Sequence, residues 1–237
     1  TIYESLRDEK SWYYYWHNLK DVHVITIYDK DYPKILRHIY DYPLVLYGLG
    51  NKKLLNSQPS ISVIGTRQPS PQGPQKLHFV VSPLVQFNWT IVSGLAYGID
   101  RLAHELALRY NGNTIAVLGG GFHHIYPREH EPLFNIIATK GLIISEYPPH
   151  IKPKKYHFPE RNRLVSGLSN ATLVIEAKEK SGTYITVDHA LEQGKEVYVV
   201  PGDILCQQTK GCHKMIQEGA KLVTSAKDIL EDFPNKW

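Results

Sequence analysis

The chain has 237 residues, with 27 Lys and Arg against 23 Asp and Glu, a formal net charge of +4. That length suits one large α/β domain, or one domain with a small appendage, and it buries enough surface to fold without a disulfide or metal staple. Apolar residues at 42% and charged residues at 21% are ordinary for a globular protein and exclude a disordered chain.

The two cysteines, Cys206 and Cys212, exclude a disulfide scaffold by number and lack a second pair to complete a four-sulfur zinc site. They read as incidental reduced thiols rather than as a redox pair. No run of apolar residues reaches the ~18 needed to span a membrane. The start, Thr1-Ile2-Tyr3-Glu4, has no basic and apolar regions of a signal peptide. Without an initiating Met the chain reads as a fragment or a processed form, with the cytoplasm as default compartment.

Residues 1–50 stand apart as a short helical and aromatic appendage, the possible remnant of a helical domain, with residues 51–237 forming the main domain. The run Trp12-Tyr13-Tyr14-Tyr15-Trp16 suits packing against that domain better than base stacking, since consecutive aromatics occupy several faces of any regular element. Gly48, Gly50, Asn51, Asn56 and Pro59 read as a loop or linker.

From Ser60 onward short β-branched runs alternate with helix-like segments. The predicted strands are Ile61–Ile64, Thr90–Val92, Thr114–Leu118, Leu142–Ile144, Ala171–Ile175, Glu196–Val200 and Lys221–Val223. Leu102, Ala103, Leu106 and Ala107 recur at helical spacing within Asp100–Tyr110, and Ile185–Gln193 is a second helix. Pro83 is expected to kink or split a helix over Gln75–Phe87. Apolar strands separated by helices predict an α/β fold with a doubly wound, mostly parallel sheet.

Glycines follow strand after strand: Gly65-Thr66-Arg67, Ser93-Gly94-Leu95-Ala96, Gly119-Gly120-Gly121, Ser181-Gly182-Thr183 and Pro201-Gly202. In a parallel sheet these turns share the carboxyl edge, where backbone N–H groups and helix N-termini favour an anion. Neither the dinucleotide fingerprint nor the P-loop motif is present, because His124 replaces the third Gly of the former and no G-x-x-x-x-G-K-[ST] occurs. His104-Glu105 and His130-Glu131 each lack the second His of a zinc protease, and no G-x-S-x-G nucleophile elbow exists. No cofactor is implied. Asp100 reads as a helix N-cap rather than as a catalytic acid. Glu146 and Glu176, at strand ends, suit either a ribose or neighbouring arginines.

Residues 150–163 carry Lys152, Lys154, Lys155, Arg161 and Arg163 against Glu160 alone, a local sum equal to the whole net charge. Tyr156 and Phe158 are interleaved, and Pro148, Pro149, Pro153 and Pro159 predict an extended segment. Cations with rings on irregular backbone suit single-stranded nucleic acid, the charges tracking phosphates and the rings stacking on bases.

These residues resemble the DNA-processing protein A family (DprA, also called Smf). The matching motifs are Ile64-Gly65-Thr66-Arg67, Ser93-Gly94-Leu95-Ala96-Tyr97-Gly98-Ile99-Asp100, Ser145-Glu146-Tyr147-Pro148-Pro149, Phe158-Pro159-Glu160-Arg161-Asn162-Arg163, Ser181-Gly182 and Val200-Pro201-Gly202, within roughly Asp29 to Val223. The resemblance implies an extended Rossmann-like domain that binds single-stranded DNA, forms a homodimer and delivers DNA to the RecA recombinase during transformation, with no catalytic or metal site. It assigns Arg67 and Lys155 to phosphates, Phe158 to a base, and Asn162 and Arg163 to the pocket. Ser93, Gly94, Ser181 and Gly182 become donors, alongside the phosphate-binding turn of Gly119 and Gly120. The competing expectation is a nucleoside monophosphate phosphoribohydrolase of the LOG type, a related fold. Its Pro-Gly-Gly-x-Gly-Thr-x-x-Glu loop is matched only by Lys180-Ser181-Gly182-Thr183-Tyr184-Ile185-Thr186-Val187-Asp188, which lacks the Gly-Gly pair and the Glu.

Overall fold

The computed structural model describes Asp8, Tyr13 and residues 19–234. A nine-stranded sheet runs in the order β1-β2-β6-β5-β4-β3-β7-β8-β9. Seven strands run parallel to one another: β3 (Ser60–Ile64), β4 (Thr90–Ser93), β5 (Thr114–Leu118), β6 (Leu142–Ser145), β7 (Ala171–Val174), β8 (Glu196–Val199) and β9 (Lys221–Leu222). These are the seven expected from the β-branched runs. Their residues are almost all buried, as a sheet covered on both faces requires.

Helices cover both faces. On one lie α1 (Gly73–Gln86), α2 (Ile99–Arg109), α3 (Glu131–Lys140) and α7 (Ala226–Leu230). On the other lie α4 (His157–Gly167), α5 (Thr183–Glu192) and α6 (Lys210–Gln217). Strand alternation sets the partition: Ile115 and Val117 join the core under α4 and α5, whereas Ala116 and Leu118 face α3.

Two strands were not expected. β1 (His23–Thr26) and β2 (Val45–Gly50) pair antiparallel, and β2 adds antiparallel to β6. Residues 23–50, assigned from sequence to the appendage, thus supply an edge of the same sheet. Gly48 and Gly50, read as a linker, pair with Ile144 and Leu142. At Gly50 φ is +108°, and an added Cβ would stand 2.6 Å from the Gly141 carbonyl, so a glycine is what lets the strand end press against its neighbour. Apart from Tyr13, the aromatic run at 12–16 lies outside the described residues.

Pro83 does not split α1, which continues to Gln86. The carbonyl deprived of a donor belongs to Phe79, an exposed residue on the outer face of the helix.

Candidate nucleic-acid interface

Chain order runs outward from β3 to β6 and then returns to β7 on the other side of β3, so the switch point lies between β3 and β7. The carboxyl ends of strands at such a point leave a crevice. Here it is a cleft of about 1080 Å³, walled by the turn after β3, the segment from Ala96 to Leu102, the first turns of α4, and Ser181–Thr186 at the start of α5. From α4 the lining residues are Phe158, Arg161, Asn162 and Val165, at the i, i+3, i+4, i+7 spacing of one helix face, together with Pro159 in the first turn.

The cleft unites Arg67, Phe158, Asn162, Ser181 and Gly182. Arg67 is exposed and forms no ion pair with any described carboxylate. The Phe158 ring packs over Gly119, where a Cβ would stand 3.0 Å away, and tilts against Tyr126 with centroids 5.3 Å apart. A second small recess, bordered by Arg67, Tyr126, Phe158 and Arg161, continues the cleft between these groups. Ser181 Oγ is buried without a hydrogen-bond partner among the described residues, and a Cβ on Gly182 would meet nothing within 4 Å. Lys155 is exposed on the turn before α4, three residues ahead of Phe158, and does not line the cleft.

The other sequence-named residues are occupied by the protein itself. Ser93 is buried and donates to the Val63 carbonyl at 2.7 Å. The Gly94 N–H donates to Asp100 at 3.1 Å, and its carbonyl accepts from Arg161 at 2.5 Å. A Cβ at Gly120 would lie 2.9 Å from Pro153 N, and one at Gly121 2.1 Å from the Pro148 carbonyl. This glycine run therefore admits the proline-rich segment of the same chain, a close approach that only glycine permits. Arg163 is buried, with Nη2 donating to both Glu146 oxygens at 2.9 Å and Nε to Asp41 at 3.0 Å.

The basic segment differs from the extended loop expected. Its second half is the start of α4, in which Pro159 sits in the first turn, where no helical N–H is needed. Helical geometry separates the two arginines: Arg161 shares the face of Phe158, while Arg163 points away toward β6 and the loop carrying Asp41.

Arg161 was not singled out from sequence. It is 5% exposed, donates through Nη1 to the carbonyls of Gly94 and Val117, and faces buried Asp100. Burial lowers its pKa to about 10, opposed by the Asp100 charge, so it remains a cation at neutral pH. Burial likewise raises the Asp100 carboxyl, opposed by Arg161 and by the amides of Gly94 and Ala96. Asp100 is not the N-cap expected; Gly98 holds that position, and Asp100 turns inward from the first turn of α2. Among the residues lining the cleft it is the sole carboxylate. Glu146 fixes Arg163, and fully buried Glu176 accepts from Ser70 N at 2.8 Å, Ser70 Oγ at 2.6 Å and Lys76 at 3.0 Å.

Fold and cleft define a doubly wound α/β protein with a cationic, ring-edged crevice at its switch point. Over residues 23–234 the chain matches the model of the DNA recombination-mediator protein A family, and it belongs to that family. It is 45% identical to DNA processing protein DprA of Bacillus subtilis over 215 residues, 91% of this chain and 72% of that protein. The X-ray structure of DprA from Streptococcus pneumoniae superposes with a TM-score of 0.88 at 41% identity, covering 96% of this chain and 79% of that one. DNA processing protein A from Helicobacter pylori, whose structure was described for its single-stranded DNA binding mode, gives 0.80 at 30% identity over 90% and 96%. No helix among the described residues is long and apolar enough to cross a membrane.

Proposed function

We propose that this chain binds single-stranded DNA in transformation, sheltering the incoming strand and passing it as a homodimer to the RecA recombinase, without chemistry of its own. The observation that carries the reading is the exposed guanidinium of Arg67, with no ion-pair partner among the described residues, beside the Phe158–Tyr126 ring pair at one end of the cleft. A cation for the backbone and a π-face for the base suffice to hold an unpaired strand, and a duplex cannot offer the base. Lys155 extends the cationic track, and Asn162, Ser181 and Gly182 add polar donors. The H. pylori relative, described as a single-stranded DNA binder, supports the same assignment.

The phosphoribohydrolase alternative needs a free carboxylate beside the bound nucleotide. Asp100 is taken up by backbone amides and Arg161. The two readings separate in a titration of oligo-dT and duplex DNA across a salt series, run beside an AMP hydrolysis assay. Preference for the single strand is expected. Arg67→Ala should flatten the log–log salt slope by about 0.7, the value for one single-strand phosphate. Phe158→Ala should weaken binding by about 1–3 kcal/mol and leave the slope unchanged. Absent or salt-insensitive oligo-dT binding overturns the proposal, and ribose 5-phosphate released from AMP would establish the enzyme instead.

A further inference from the structure

Arg161 borders the cleft, yet its bonds run into the protein. Nη1 reaches the carbonyls of Gly94, at the end of β4, and Val117, in β5, while Nε lies 3.3 Å from Asn162 Oδ1. Asp100 supplies the counter-charge and receives the Gly94 N–H at 3.1 Å, so one loop is held by the carboxylate through its amide and by the guanidinium through its carbonyl. The seat exists because residue 94 is glycine: a Cβ there would lie 2.6 Å from three guanidinium atoms. Phe158 lies one turn before Arg161 on the same helix face. Anchoring Arg161 therefore sets the height of Phe158 above Gly119 and its distance from Tyr126.

We propose that Arg161 is a positioning residue, which with Asp100 locks the first turn of α4 onto the ends of β4 and β5 and so presents the Phe158 ring to a base, without itself binding a phosphate. The inference rests on the single-strand reading of the cleft and adds a division of labour among its arginines: Arg67 meets the DNA and Arg161 orients the ring. Of the five donors of this buried guanidinium, three are taken by two carbonyls and a side-chain oxygen, and its charge is matched by Asp100, so only Nη2 is left to offer a phosphate. A lysine keeps the charge but lacks the planar fork that reaches several acceptors at once.

The test is a double-mutant cycle on oligo-dT affinity between Arg161→Lys and Phe158→Ala, with the salt slope measured for each protein. Arg161→Lys should lose affinity at every salt concentration by roughly the factor lost in Phe158→Ala, since both remove the productive ring. The double variant should be no weaker than either single, and the slope should match that of the unmodified protein. Gly94→Ala, which evicts the guanidinium from the other side, should reproduce the Arg161→Lys values. If a variant fails to fold, Asp100→Asn combined with Arg161→Gln removes both charges together, and the same cycle with Phe158→Ala is run on it. Additive losses from Arg161→Lys and Phe158→Ala would overturn the proposal. So would a slope flattened by about 0.7 in the Arg161→Gln proteins, which would mark Arg161 as a phosphate ligand. Failure of the unmodified protein to bind oligo-dT would instead defeat the underlying reading, an outcome visible before any variant is made.

Discussion

Arg163→Ala separates a structural arginine from a DNA-binding one. The Arg163 side chain is 11% exposed; Glu146, which it grips with two 2.9 Å contacts, is 29% exposed, and Asp41 is 74% exposed. Removing one member of a fully buried pair costs about 3–5 kcal/mol, because the remaining charge is left in a poor solvent. Here Asp41 returns to water almost freely, and a screened exposed contact contributes about 0–1 kcal/mol. Glu146 is only partly shielded, so the loss falls below the fully buried range, at about 2–3 kcal/mol. For a chain of this size each kcal/mol moves Tm by about 2–4 °C, giving a fall of about 4–12 °C in calorimetry. Glu146→Gln in the Arg163→Ala background should restore part of the loss by removing the orphaned charge. Oligo-dT binding, measured well below the melting range, should keep its salt slope. An unchanged Tm together with a slope flattened by about 0.7 would refute the reasoning and put Arg163 on the DNA.

Lys195 donates to the carbonyls of Ser166 and Gly167 at the end of α4, and burial lowers its pKa to about 7. The unfolded lysine titrates near 10.4, so between about pH 7 and 10 the unfolded chain binds the extra proton and stability rises with pH. Denaturant titrations should show that rise in the unmodified protein and a flatter profile for Lys195→Met. Gly98 has φ +74° and no room, since a Cβ would sit 2.3 Å from the Thr66 carbonyl; Gly98→Ala should lose on the order of 2–4 kcal/mol in the same titrations. Glu176→Gln leaves Lys76 without its charge partner inside the fold and should lose about 1–3 kcal/mol of stability with no change in the oligo-dT salt slope.

The parallel half of the sheet was legible because strands covered on both faces read as unbroken β-branched runs. β1 and β2 were not: HVIT and VLYGLG lie before the regular alternation of strands and helices begins, and Gly48 and Gly50 mimic a linker when only local sequence is seen. What makes them strands is non-local, the open edge of β6. The same distinction divides the site. That Arg67 and Phe158 fall at the cleft was legible because a turn after a strand and a ring among cations are local signals. Arg161 was overlooked because four prolines made the segment look extended, which erased the helical phase that assigns Arg161 to the cleft and Arg163 to Glu146. The strand-end glycines were correctly placed on one edge, but sequence cannot tell a glycine that admits a ligand from one that admits the chain itself. Gly120 and Gly121 are of the second kind.

Burial also changes what the net charge of +4 means. The whole excess falls in residues 150–163, yet two of the five cations there, Arg161 and Arg163, lie inside the fold facing Asp100 and Glu146. The cations left to meet a strand near the cleft are exposed Arg67, Lys152, Lys154 and Lys155, joined by half-buried Lys178 in its lining, while Arg101, also in the lining, is paired with Glu105 at 2.7 Å and is left out of the count. At about 0.7 per phosphate for a single strand, four or five contacts give a log–log salt slope of about −3. Counting every cation of the basic segment with Arg67 and Lys178 would give about −5. A measured slope near −3 that falls by about 0.7 with Arg67→Ala fits a strand held by those few contacts. A slope of −5 or steeper would require a second track, and one supply of exposed cations outside the cleft is Lys30, Lys34 and Lys53 in the segments flanking β2. Substituting those three would then flatten the slope, whereas the cleft reading expects no change.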